Sequence, residues 1–203
     1  MKTYFVTGIG TDVGKTVASA ILVEALEADY FKPVQAGDLD YGDKHRVEQL
    51  VSNSKSVFHD NIYGLQTPMS PHGAAEIDGI TIDIETIKRP KTKNNLVIEG
   101  AGGLLVPLND TDTIMDLIDP KDMVIVVSRH YLGSINHTLL TLQTLKSKGL
   151  TPYLIYSGDE HPSTESIIEK MTGVEVIGRI NDEPYFDQNV VKDYAEQLRP
   201  HVP

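Results

Sequence analysis

The chain has 203 residues, 40% of them hydrophobic and 23% charged, a globular balance in a length that suits one domain spanning 1–203 with a substantial core. Without cysteine it can form neither a disulfide framework nor a thiolate metal site. Its formal net charge of −11 argues against general nucleic-acid binding; no apolar run reaches the roughly 18 residues of a membrane span, and no basic-then-apolar leader precedes the first apolar run, so a cytoplasmic protein is expected.

The first predicted strand is Thr3–Thr7. A Gly-bearing loop follows it and ends in Gly14-Lys15-Thr16, where a helix over Lys15–Glu27 begins. Strand, loop, Gly-Lys-Thr and helix is the order of a phosphate-binding P-loop: loop amides and the helix N-terminus aim positive dipole at one spot. Lys15 would then reach the outer phosphates, and the Thr16 hydroxyl would ligate Mg²⁺. The usual spacing would place a glycine at position 9, where this chain has Ile9, with Gly8 and Gly10 on either side. The loop is therefore a variant.

The next strand is expected at Tyr30–Pro33. Lys32 stands at its end beside a rigid proline, either as a second cation for phosphoryl transfer or as a lysine snorkelling off a strand. Asp38, Asp40 and Asp43 lead into a helix over Asp43–Val51, as a Mg²⁺ carboxylate or as first-turn helix charge. Residues 52–70 have the weakest periodicity and are expected to cross the surface; a helix over Pro71–Ile77 and a polar loop over Arg89–Asn95 follow. Leu96–Glu99 then runs into Gly100-Ala101-Gly102-Gly103. A carboxylate at the end of an apolar strand fits a second Mg²⁺ ligand in a P-loop protein, or marks a tight turn with an exposed Glu. Strands Met123–Ser128, Thr151–Tyr156 and the shorter Val174–Ile177 alternate with helices Ile135–Lys148, Ser163–Met171 and Asp187–Leu198, and Arg199–Pro203 is expected to fray. Continuously apolar runs such as MVIVVS suit a parallel sheet covered on both faces.

The stretches VTGIGTDVGKT, FKPVQAG, TPMSPH, VIEGAGGLLVP and LGSINHTLLT, in that order over residues 4–142, resemble the dethiobiotin synthetase family. The resemblance implies a P-loop NTPase-type three-layer α/β sandwich around a mainly parallel sheet, usually as a homodimer. It also implies a reaction in which 7,8-diaminopelargonate takes up CO₂ as a carbamate. ATP phosphorylates the carbamate, and the second amine closes the ureido ring. Its cofactor is Mg²⁺, with ATP as co-substrate and bicarbonate as the source of CO₂. By the same resemblance Lys32, Lys15 and Thr11 are catalytic; Thr16, Asp43 and Glu99 hold Mg²⁺. Asp12, Val13, Gly14, Lys15, Thr16 and Val17, with Asp43, Glu99, Gly100, Ala101 and Gly102, bind the nucleotide phosphates. Ser157, Gly158 and Asn181 lie toward the base, and Lys32, Ala36, Gly102 and Asn136 contact the diamine substrate, Asn136 across the dimer interface. A neutral amine must attack CO₂, so activity should fall at acidic pH.

The chain departs from the family pattern at several of these positions. Ile9, Gly10 and Asp12 replace Thr, Asp and Glu; Ala36 replaces a frequent Ser; Ser157 stands for an Asn on the base side and Asn181 for a Pro. Two other P-loop readings are open. An amidoligase of the corrinoid type would usually carry a glutamine amidotransferase domain with a nucleophilic Cys, absent here. A ParA/MinD-type switch would carry its signature lysine where this chain has Gly10.

Overall fold

The computed structural model describes residues 1–203. Seven strands form one sheet in the order β4-β2-β6-β1-β7-β8-β9, with every strand pair parallel. They are β1 (Thr3–Gly8), β2 (Asp29–Phe31), β4 (Phe58–His59), β6 (Leu96–Gly103), β7 (Met123–Arg129), β8 (Pro152–Ser157) and β9 (Glu175–Ile180). The remaining strands, β3 (Val34–Ala36) and β5 (Tyr63–Leu65), pair with each other in a separate two-stranded sheet.

Six helices cover the sheet: α1 (Lys15–Leu26), α2 (Asp43–Leu50), α3 (Pro71–Asp78), α4 (Ser134–Ser147), α5 (Pro162–Thr172) and α6 (Gln188–Leu198). After β1 the chain steps through α1 to β2 on one side; after β7 it steps through α4 to β8 on the other. Right-handed crossovers running in opposite directions put their helices on opposite faces. Alternate residues of β1 report the two faces: Tyr4 and Val6 belong to the larger apolar cluster with α1 and α6, Phe5 to a smaller one with α3. The reversal of direction leaves a crevice at the carboxyl end of β1, where open α/β sheets bind ligands.

Three expectations need correction. Residues 52–70 do not merely cross the surface: they contribute β4, an edge strand of the main sheet, and β5. Expected strand Tyr30–Pro33 ends at Phe31, and Pro33 hands the chain from the main sheet to β3 in the small one. The C-terminal tail does not fray. Arg199–His201 forms a 3-10 turn, Arg199 Nε donates to Ala25 O at 2.8 Å, and Tyr4 Oη donates to Pro203 O at 2.8 Å. The rest of the predicted elements occur with boundaries shifted by at most three residues, except β6, which runs on four residues through the expected turn to Gly103.

Candidate active site

A cleft of about 750 Å³ opens at the carboxyl ends of β1, β2 and β6. Its floor is the P-loop. Asp12 (φ +56°) and Gly14 (φ +94°) are both left-handed, which folds the loop back before α1 starts. The φ of Gly14 favours glycine, and a Cβ there would stand 2.6 Å from Ser157 Oγ, so the serine hydroxyl would have to turn aside. Lys15 is buried and its Nζ donates to Gly10 O at 2.9 Å. Burial lowers its pKa to about 8, against the pull of Glu99.

The polar centre is an ion cluster. Glu99, on β6, is 1% exposed and Lys32, just past β2, is 4% exposed. Tyr30 pairs with Val97 and Phe31 with Ile98 in the β2–β6 register, so Lys32 follows on beside Glu99. Lys32 Nζ lies 3.1 Å from Glu99 Oε1 and 2.7 Å from Asp43 Oδ2. Thr16 Oγ1 lies 3.1 Å from both Asp43 Oδ1 and Glu99 Oε1, and Tyr30 Oη donates to Glu99 Oε2 at 2.9 Å. Burial alone would lower the Lys32 pKa; Glu99 and Asp43 outweigh it and hold the ammonium above its ordinary value. The reverse holds for Asp43, where burial opposes ionisation and the Lys32 charge prevails, keeping the carboxyl below its usual range. The Tyr30 phenol is pushed well up by burial and then by Glu99, so it is a donor.

The Thr16 hydroxyl lies within hydrogen-bond distance of one carboxylate oxygen of Asp43 and one of Glu99, which gathers hard oxygen donors that could together hold a hard cation. Their chemistry fits Mg²⁺. Gln35 supports the group from beneath, its Oε1 accepting from the Asp43 amide at 3.4 Å and its Nε2 donating to Gly37 O at 3.0 Å. Across the cleft, Gly102 (φ +68°) brings β6 close to Thr11: a Cβ there would lie 3.5 Å from Thr11 Oγ1 and 2.9 Å from Val106 Cγ2. Arg46, one turn along α2 from Asp43, also lines the cleft, with Asp38 4.0 Å away.

Residues 2–190 match a family described as an AAA domain. The chain is 63% identical to the ATP-dependent dethiobiotin synthetase BioD of Christiangramia forsetii, over 98% of this chain and 96% of that protein. It is 47% identical to the protein of the same name from Cytophaga hutchinsonii, over 98% and 97%. The chain belongs to the dethiobiotin synthetase family. This is an enzyme family of ATP-dependent ligases and, for this chain, the fold is also that of P-loop ATPases. A ParA family ATPase from Chlorobium tepidum TLS superposes with a TM-score of 0.53 at 14% identity, covering 99% of this chain and 96% of that one. The MinC:MinD cell division protein complex of Aquifex aeolicus gives a TM-score of 0.52 at 14% identity, over 98% and 96%.

The residues that the dethiobiotin synthetase resemblance assigns divide into those gathered in the cleft and those elsewhere. Thr11, Asp12, Gly14, Lys15, Thr16, Val17, Lys32, Ala36, Asp43, Glu99, Ala101 and Gly102 all line it. Lys32 is a buried ion-pair partner, not a snorkelling surface lysine, and Glu99 is buried, not an exposed turn residue. Val13 and Gly100 do not line the cleft. Val13 is buried beneath Gly8, and Gly100 is turned toward Ile114 and Phe5. Ser157 sits behind the P-loop against Gly14, buried. Gly158 and Asn181 are at the ends of β8 and β9, near the bidentate Arg129–Asp182 ion pair. Asn136 is exposed on the first turn of α4, away from the cleft walls.

Sequence reasoning missed Tyr30, Gln35 and Arg46, and the wall made by Pro68, Met69 and Ser70. The last three had a signal, since they lie in the TPMSPH stretch. Tyr30 had one too: it stands two residues before Lys32 in a strand, hence on the same face.

Proposed function

We propose that the protein catalyses the ATP- and Mg²⁺-dependent conversion of 7,8-diaminopelargonate and CO₂ to dethiobiotin in biotin biosynthesis. The observation that carries this reading is the buried Lys32 held between Asp43 and Glu99 and facing Thr16 of the P-loop. It is joined by 63% identity to a protein named for that synthesis.

One amine of the substrate attacks CO₂, forming a C–N bond and losing a proton to give a carbamate. A carbamate oxygen displaces ADP from the γ-phosphorus of ATP. The second amine then attacks the carbonyl of the resulting anhydride, the C–O bond to phosphate breaks, and phosphate leaves as the ring closes. Lys32 keeps a fixed positive charge beside the carbamate, and Lys15 and Thr11 hold the transferring phosphoryl group. Asp12, Gly14, Val17 and Ala101 shape the phosphate cradle, and Ala36 and Gly102 leave room for the diamine. Mg²⁺, held by Thr16, Asp43 and Glu99, would neutralise phosphate charge. No protein nucleophile is needed; catalysis is positioning and charge neutralisation. The base lies toward Gly158 and Asn181.

The same reading includes a homodimer. Leu132, Tyr131, Ile135 and Leu140 are all exposed around the start of α4, an apolar face beside Asn136. Asn136 then meets the tail of the substrate bound to the other subunit. The test of the reaction is the fate of carbon: with ¹³C-bicarbonate, the label should appear in the ureido carbonyl of dethiobiotin, with one ADP formed per product. Unlabelled product, or ADP without product, would refute it.

A further inference from the structure

We propose that Tyr30 is a positioning residue for this reaction, its hydroxyl holding one oxygen of Glu99 so that the other stays aimed at Thr16 and Lys32. The inference rests on the reaction proposed above. A carboxylate on a strand can turn about its last bond, and whichever oxygen faces the cleft sets where a cation or an ammonium sits. Here Oε1 is shared by Lys32 Nζ and Thr16 Oγ1, both at 3.1 Å, while Oε2 has Tyr30 Oη at 2.9 Å. Glu99 is therefore gripped from both sides. Without the phenol, Oε2 would be a buried charged oxygen lacking a partner, and rotating the carboxylate to share the Lys32 ammonium would be its nearest remedy.

Packing does not account for the hydroxyl. The Tyr30 ring is wholly buried and meets the Phe58 ring at 6.5 Å between centroids, a contact that phenylalanine would keep. Tyr30 and Lys32 project to the same face of one short stretch of chain, two residues apart. One segment thus delivers both the cation on Oε1 and the donor on Oε2. Tyr4, another buried tyrosine of the sheet, instead satisfies its hydroxyl on the backbone carbonyl of Pro203.

The test is Tyr30→Phe, with Phe58→Leu as a control that disturbs the same ring contact but leaves the hydroxyl. Mg²⁺ is titrated calorimetrically into each protein saturated with a non-hydrolysable ATP analogue, and kcat and KM for 7,8-diaminopelargonate are measured separately. Tyr30→Phe should weaken Mg²⁺ binding about tenfold and lower kcat about tenfold, with KM within twofold, as loss of a hydrogen bond to a charged group implies. Phe58→Leu should leave Mg²⁺ binding unchanged. Wild-type Mg²⁺ affinity and kcat in Tyr30→Phe, or equal losses in Phe58→Leu, would overturn the proposal. If the wild-type protein formed no dethiobiotin yet Tyr30→Phe still weakened Mg²⁺ binding, the reaction assignment would fall and the positioning of Glu99 would stand.

Discussion

Each charged residue of the cleft is defined by its neighbours more than by its type. Lys32 is buried because Asp43 and Glu99 accompany it, and they tolerate burial because of Lys32. Lys32→Met should therefore leave the buried Glu99 and the half-buried Asp43 without their shared cation, costing about 3 kcal/mol. Added Mg²⁺ should return much of that loss, so thermal unfolding with and without Mg²⁺ should show a larger gain in Tm for the variant than for wild type. An equal gain would mean the carboxylates do not take the ion. Lys15 titrates at about 8 because burial removes water from its ammonium. Its folded value lies below its unfolded value, so the charge costs stability below pH 8, and that cost is relieved as pH rises from about 8 toward the ordinary lysine value. Phosphate binding needs the charged form. The affinity of the free protein for ATP should then fall as pH rises through 8, while synthesis should also fall at acidic pH as the substrate amines protonate. Nucleotide titrations from pH 7 to 9.5 would show the first effect, and a flat profile would remove Lys15 from phosphate binding.

Elements with their own periodicity were legible in the sequence: six of the seven strands of the central sheet and all six helices appear, and Gly14-Lys15-Thr16 marks the start of α1. What was not legible depends on partners far away in the chain. β4 is two residues long and exists because β2 offers it an edge; β3 and β5 exist because they pair with each other. Short strands of this kind carry no period to detect. The tail is ordered by Ala25 and Tyr4, over 170 residues earlier. Glu24 shows how such loops are held: its carboxylate accepts from Ser52 N and Oγ at 2.8 Å each and from Asn53 N and Nδ2 at 3.1 and 3.2 Å. Burial opposes its ionisation, but these bonds win and keep its pKa below the usual carboxylate value. That stability is present above the ordinary glutamate pKa and is lost as pH falls below it. Glu24→Gln should cost about 2 kcal/mol in urea unfolding at pH 7, and less at pH 4. An equal cost at both pH values would mean the charge contributes nothing.

At the scale of the whole molecule, the fold is shared with a ParA family ATPase and with a MinC:MinD cell division protein complex, so architecture alone does not select the chemistry. On the proposed reading the selection lies in the site: Gly10 in place of a switch lysine, and Lys32 with Asp43 and Glu99 opposite the P-loop. The phosphate half of that site was legible from motif spacing, because a P-loop is local. The grip on Glu99 was not, because it joins strands that are 69 residues apart. The proposed dimer belongs to this scale as well. Leu132→Asp should convert the protein to monomer in sedimentation velocity and raise KM for the diamine; a variant that stayed dimeric would move the interface elsewhere.

The most direct measurement is phosphate release from ATP with each reactant omitted in turn. Release should require 7,8-diaminopelargonate, bicarbonate and Mg²⁺ together, and match dethiobiotin formed one for one. Steady release without the diamine, stimulated by DNA or lipid vesicles, would contradict the synthetase and favour a nucleotide switch.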